Sequence, residues 1–123
     1  MEYCREVVQV EDCIFCRIGA GEIPADVIYE DKLVIAFKDI KPAAPFHMLL
    51  IPREHIASFN ELEPRHQELA GHMTLVLKQL AADHAMAEKG YRVIVNCGSE
   101  GGQVVYHLHY HLLGGRPLGK LLP

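Results

Sequence analysis

The chain has 123 residues, 12 Lys plus Arg against 16 Asp plus Glu, a formal charge of −4, and 50% hydrophobic with 23% charged residues. That composition supports one globular domain with an ordinary core and argues against intrinsic disorder. There is no long basic run, so DNA or RNA duplex binding is not indicated. Apolar stretches such as Met48-Leu49-Leu50-Ile51 fall far short of the ~20 residues of a membrane span. The charged N-terminus MEYCREVVQV lacks a signal-peptide core, and a cytoplasmic protein is expected.

Residues 1–12 are polar and without periodicity and read as an N-terminal extension. Ile14 to Gly19 suits a short helix stopped by Gly19-Ala20-Gly21, after which Pro24 opens an extended segment. Val27-Ile28-Tyr29 and Leu33 to Phe37 are β-rich and flank Glu30-Asp31-Lys32, the pattern of a hairpin. Phe46 to Ile51, fenced by Pro45 and Pro52, reads as a strand buried on both faces for much of its length. Pro64 suits the first turn of one long helix, with Leu69, Met73, Val76, Leu77, Leu80 and His84 at helical spacing and Gly90 as its left-handed cap. Arg92 to Asn96 and Val104 to Leu113 are two further strands, joined by the glycine-rich segment from Gly98 to Gln103. Short turns favour antiparallel pairing, so an α+β domain is expected, a five-stranded antiparallel sheet crossed by the long helix, with the short helix at the N-terminal end.

His107, His109 and His111 alternate in the last of these strands, which places all three imidazoles on one face at roughly 7 Å steps. At this histidine content, three in such a pattern arise by chance in about 0.03 of chains. A single strand histidine is most simply a core or surface residue. Three beside a glycine-rich turn point to chemistry, either a metal site or nucleophilic catalysis, and both use neutral imidazole. Cys13 and Cys16 form a C-x-x-C, while Cys4 and Cys97 are isolated and expected as free thiols, so no secreted disulfide framework is present. A lone C-x-x-C is compatible with metal binding, with a redox pair, or with buried unliganded thiols. His66, His72 and His84 are assigned to helix faces.

The run H-x-H-x-H followed by two apolar residues, preceded by Gly101-Gly102-Gln103-Val104-Val105-Tyr106, resembles the histidine triad (HIT) family of nucleotide-binding hydrolases and transferases. The resemblance extends through Phe15, Gly21-Glu22-Ile23-Pro24, Ala36-Phe37-Lys38-Asp39-Ile40, Pro45-x-His47 and Ile51-Pro52-x-x-His55-Ile56 to Asn96 and Gly114-Gly115-Arg116. It is strongest to the histidine triad nucleotide-binding protein branch and makes 13–123 the HIT domain. It implies a homodimer whose two sheets join into one of ten strands. It also implies an AMP-type purine nucleotide ligand and hydrolysis of purine nucleoside 5′-phosphoramidates or adenylylated amines, with no catalytic cofactor.

In that resemblance His109 is the nucleophile that holds the nucleotidyl group. His111 contacts the phosphate and leaving-group side, His47 completes the relay, and His107 is the first histidine of the triad. Asp39 matches the ribose carboxylate and Asn96 a polar residue near phosphate and ribose. Ile14, Phe15, Ile18, Phe37 and Ile40 match the apolar slot for the base. Amides around Gly102, Gln103 and Val104 would serve the phosphate, and Val104 stands where well-known members carry a serine. Several bacterial branches use residues matching Cys13, Cys16, His55 and His107 for a structural zinc, a donor set that suits tetrahedral zinc. Cleavage of dinucleoside polyphosphates, and a binding or scaffold module with incidental turnover, are the competing functions. Leu118 to Pro123 is too generic to assign.

Overall fold

The computed structural model describes residues 12–120. The expected N-terminal extension up to residue 11, with Cys4, and the last three residues lie outside the described residues.

Helix α1 (Ile14–Gly19) starts where the Cys13 Sγ accepts the Cys16 N–H at 3.4 Å, a thiol taking the role of a capping oxygen. It buries Phe15, Cys16 and Ile18. Strands β1 (Val27–Glu30) and β2 (Val34–Lys38) form the expected antiparallel hairpin, with Tyr29 opposite Ala36 and an irregularity between Val27 and Tyr29. Asp31 organises its turn. One carboxylate oxygen accepts the Leu33 and Val34 amides at 2.8 and 2.9 Å, and the other meets the Tyr29 hydroxyl at 2.7 Å and His72 Nε2 at 2.6 Å. Burial pushes the Asp31 carboxyl up, but these donors together outweigh it and hold it below the usual carboxylate range.

Strand β3 (Phe46–Pro52) runs up the middle of the sheet. The two-residue alternation of a strand then divides its side chains. Met48 and Leu50 join Val34 and Ala36 under the long helix, whereas Leu49 and Ile51 join Ile35 and Phe37 under Phe15 and Ile18 of α1. The sheet is thus buried on both faces, as the unbroken apolar run of β3 requires.

The long helix α2 (Gln67–Asp83) follows a 3-10 turn at Pro64–His66 and lays Met73, Val76, Leu77 and Leu80 on the sheet. It ends at Asp83, well short of the expected glycine cap at Gly90. Ala85 takes the left-handed conformation (φ 60°) in place of Gly90, the Ala85 amide bonds the Ala82 carbonyl at 3.1 Å, and the Met86 amide bonds the Ala81 carbonyl at 2.8 Å. This is a Schellman closure, and the reason is packing: Met86 enters the core beneath the helix. Gly90 (φ 104°) instead turns the chain into β4 (Tyr91–Val95).

Strand β5 (Tyr110–Gly114) inserts between β3 and β4, giving the order β1-β2-β3-β5-β4, antiparallel throughout. The strand expected over Val104 to Leu113 is therefore confined to its second half. Ladder pairing begins only at Tyr110, opposite Leu50 of β3 and Val95, the last residue of β4, although β3 itself continues to Pro52. Ahead of that point the chain bonds to the segment that follows β3, with the Leu108 amide on the Ile56 carbonyl at 2.7 Å.

Arg53, 3% exposed, closes this end of the fold. Its guanidinium donates to the Gly19 carbonyl at 2.7 Å, the Asp31 carbonyl at 2.8 Å and Glu30 Oε1 at 2.8 Å, tying α1, the hairpin turn and the end of β3 together. Charge-assisted hydrogen bonds are the stronger kind, and the acceptors stranded by their loss add a penalty. Arg53→Met is expected to destabilise the protein by about 2 kcal/mol; a urea midpoint equal to that of the parent would show the three bonds to be worth no more than water.

Candidate active site

The odd-numbered residues of β3 and β5 face the α1 side of the sheet, which puts His47 and His111 there with Leu49 and Leu113. His109 stands just ahead of β5. Its Nδ1 lies 2.7 Å from the backbone oxygen of His107. A carbonyl only accepts, so Nδ1 carries the proton and Nε2 of the neutral ring presents a lone pair. Phe15 packs edge-on against this ring at 5.2 Å and His111 at 5.1 Å, and these contacts limit its rotation.

The second pair of imidazoles has its protons assigned by the same logic. The Ala43 amide donates to His47 Nδ1 at 3.0 Å, so the proton of neutral His47 is on Nε2, where it donates to His111 Nδ1 at 2.9 Å. His111 is left with its own proton on Nε2. Burial first, then the neighbouring His109 and His47, push the His111 pKa down to about 4, against the opposing pull of Asp39. Asp39 sits with Oδ2 3.4 Å from His47 Nε2 while its Oδ1 accepts the Lys41 amide at 2.8 Å. Asp39, His47 and His111 are close enough to cap a cation. A ring that accepts the Ala43 amide at one nitrogen could ligate through the other only as an imidazolate, however, so this cluster is built to pass hydrogen bonds.

His107 lies against Phe15 on the same side as His109 but has different partners. Its fully buried side chain turns to α1, with Nδ1 3.2 Å from Cys13 Sγ and 3.5 Å from Cys16 Sγ, while Cys16 Sγ lies 3.3 Å from His55 Nδ1. Tetrahedral zinc with ordinary bond lengths has S···N edges of about 3.5 Å, close to these separations. His107 Nε2 lies 2.8 Å from the Pro52 carbonyl, so that nitrogen carries the proton and Nδ1 faces the thiols as a bare donor, the usual arrangement behind a metal-bound histidine. Burial lowers the His107 pKa to about 4 and lowers that of His55, so both rings stay neutral, as ligands must. The four ligand atoms lie within 4.8 Å of one another and could hold a metal ion. None of Cys13, Cys16 and Cys97 is in a disulfide among the described residues.

The glycine-rich loop is more self-contained than its sequence suggests. The Gly102 and Gln103 amides are used inside it, on the Ser99 and Gly98 carbonyls at 3.1 and 3.0 Å. The Gln103 side chain is also occupied: it accepts the Gly98 amide and donates to the Ala57 and Val105 carbonyls. Asn96 donates to the Gly101 carbonyl at 2.8 Å. A Cβ on Gly101 would lie 2.3 Å from the Cys97 oxygen, so this glycine serves a close approach within the loop itself. The Val104 amide has no acceptor among the described residues, and its side chain is 86% exposed.

Of the five apolar candidates, Phe15, Ile18 and Phe37 belong to the α1-side core, whereas Ile14 is about half exposed and Ile40 is 92% exposed. Of the histidines assigned to helix faces, His72 lies on α2, His84 caps it, and His66 is buried in the preceding turn with Nε2 3.2 Å from Glu54. Sequence reasoning missed Arg53 and the backbone groups of Ala43, Pro52 and Ile56. Only Pro52 at the end of β3 hinted at them, since Ala43, Pro52 and Ile56 act through peptide atoms that any residue carries and Arg53 finds its acceptors only in the fold.

Residues 20–118 match the HIT domain family. The purine nucleoside phosphoramidase of Escherichia coli K12 is 48% identical over 91% of this chain and 94% of its own length. HitA of Neisseria gonorrhoeae is 46% identical over 85% of this chain and 97% of its own. Among solved structures, a HIT family hydrolase from Legionella pneumophila superposes with a TM-score of 0.86 at 48% identity, covering 87% of this chain and 96% of that one. A histidine triad protein from Clostridium difficile reaches 0.90 at 42% identity, covering 94% and 100%. The family match over residues 20–118, with relatives 46–48% identical over most of the chain, establishes that the protein belongs to the histidine triad (HIT) family.

Proposed function

We propose that this HIT hydrolase cleaves purine nucleoside 5′-phosphoramidates or adenylylated amines, releasing AMP and the free amine through a nucleotidyl-His109 intermediate. The observation that carries the reading is the 2.7 Å contact from His109 Nδ1 to the His107 carbonyl, which leaves Nε2 as the nucleophile. That lone pair attacks the α-phosphorus, the bond from phosphorus to nitrogen breaks, and the electron pair leaves on nitrogen, which takes up one proton from solvent to depart as the free amine. Water then attacks the phosphorus, the P–N bond to His109 breaks, and the pair returns to Nε2. The proton shed by water passes to the departed amine or to solvent. His111 Nε2–H and the Val104 amide are donors for the phosphoryl oxygens, where charge develops. Asp39 is an acceptor for the ribose hydroxyls, and its 3.4 Å approach to His47 links it to the relay. Ile14 and Ile40, left open over buried Phe15, Ile18 and Phe37, are apolar surface that a purine ring would cover.

The same reading makes Cys13, Cys16, His55 and His107 ligands of a structural zinc, since two thiolates with two imidazoles favour that ion. No helix among the described residues is long and apolar enough to cross a membrane, and reduced thiols suit the cytoplasm. The second copy of a homodimer would add its β4 to the open β4 edge, where Tyr91 and Val93 are exposed.

The test is phosphorus NMR of protein purified without chelators, given adenosine 5′-phosphoramidate and diadenosine tetraphosphate in parallel, with metal content and light-scattering mass taken on the same sample. Conversion of the phosphoramidate to AMP by a zinc-loaded dimer is expected. Preferential cleavage of the dinucleotide would reassign the substrate class, and AMP binding without turnover of either would leave a binding module.

A further inference from the structure

The metal cluster and the nucleophile share one peptide. The His107 ring belongs to the cluster, and the His107 carbonyl is the group that holds His109 Nδ1 at 2.7 Å. The N–H of that same peptide unit, on Leu108, donates to the Ile56 carbonyl at 2.7 Å, one residue from His55. Both rings lie edge-on to Phe15, His107 at 5.9 Å and His109 at 5.2 Å, and Phe15 sits between Cys13 and Cys16 in sequence. The His107 ring is also anchored to the Pro52 carbonyl at 2.8 Å. The 107–108 peptide therefore hangs between the Pro52 to Ile56 segment and α1, and nothing in it belongs to a sheet ladder that would otherwise set its orientation.

We infer that Cys13, Cys16 and His55 are positioning residues for His109: by fixing the His107 ring they aim the 107–108 carbonyl that sets the tautomer and direction of the nucleophile. The inference rests on His109 being the nucleophile. A hydrogen bond to the Leu108 amide polarises the peptide and strengthens its carbonyl as an acceptor. Small displacements of that carbonyl would free the ring to rotate, or let the proton move to Nε2, where it blocks attack. The cluster would then act on the chemical step and leave nucleotide binding largely alone, since misplacement of a reacting group by about 1 Å costs on the order of a hundredfold in rate.

The experiment compares the metal-loaded protein with His55→Ala and His55→Cys, each checked for folding by circular dichroism. Two quantities are read: the tautomer of His109 by nitrogen-15 NMR of histidine-labelled protein, assigned against His109→Ala, and kcat with KM for adenosine 5′-phosphoramidate. In the loaded parent and in His55→Cys, which restores a zinc-competent donor set, His109 is expected as the Nδ1–H tautomer. In His55→Ala a mixture with the Nε2–H form is expected, together with a fall in kcat of about tenfold or more and KM within about twofold. Should the variant lose its fold, chelation of the parent followed by return of zinc supplies the same comparison on unmutated chain. A His109 tautomer and kcat unchanged in folded His55→Ala, or a loss of kcat with the tautomer intact, would overturn the inference. If His109→Ala retains turnover, the assignment of the nucleophile fails instead, and the two failures are told apart by the NMR signal.

Discussion

His109→Ala is expected to abolish turnover of adenosine 5′-phosphoramidate, by at least about a thousandfold in kcat, while the affinity for AMP stays within about tenfold. The asymmetry follows from the site. The ring contributes one nitrogen to the reaction, whereas the proposed binding groups, Asp39, the Val104 amide and the apolar residues Ile14 and Ile40, lie on other parts of the chain. Single-turnover kinetics with a parallel AMP titration read both quantities. Residual activity above a hundredth of the parent would mean that the lone pair of His109 Nε2 does not form the intermediate. Loss of AMP binding alongside activity would mean that the ring supports the pocket and that the variant reports on structure.

Acid is expected to weaken the fold over a window set by the buried imidazoles. The His111 pKa falls from an ordinary 6.5 to about 4 in the folded protein, and His107 behaves likewise through burial. Between those values the unfolded chain binds more protons than the folded one, so stability rises with pH there. It is complete above about pH 6.5, declines as pH falls, and the decline from these groups ends near pH 4. For His111 the difference amounts to at most about 3 kcal/mol. Asp31, whose folded pKa also lies below its usual value, has the same sign, but its contribution is lost only as pH falls below the ordinary carboxylate range. Urea midpoints at pH 7.5, 5.5 and 4.5 for the parent and for His111→Asn check this: the parent should lose more stability across the series. Parallel pH profiles for the two proteins would show that His111 titrates normally.

Tertiary structure also decides what the hydrogen bonds around the site are for. The Ala43 peptide donates its N–H to His47 and accepts Arg116 at its carbonyl, at 3.0 Å each, so the loop between β2 and β3 is held from the far end of the chain. Gln103 and Asn96, polar residues beside a glycine-rich turn, spend the side-chain contacts described above on shaping that turn. Such cross-links are what the proposed use of the Val104 amide as a phosphate donor requires, since charge stabilisation depends on donors already in place.

Much of this protein was legible in its residues alone. The hairpin, the central strand, the long helix and the alternation of His109 and His111 follow from periodicity, because a side chain's face is set by local backbone geometry. The H-x-H-x-H run and its flanks carried the family resemblance for the same reason, being local and ordered in sequence. What periodicity could not supply was the end of each pattern. The helix stops at Asp83 because Met86 is drawn into the core, and the last strand begins only at Tyr110, level with the end of β4. Nor could it supply the meeting of His107 with Cys13, Cys16 and His55, residues as many as 94 positions away. The protons on His109 and His47 are likewise set by carbonyls and amides from other segments. Sequence by itself therefore determined which chemical groups are present and which face of a local element they occupy. Only the tertiary structure decided their partners, because backbone donors and acceptors are the same at every residue and folding alone chooses which of them meet.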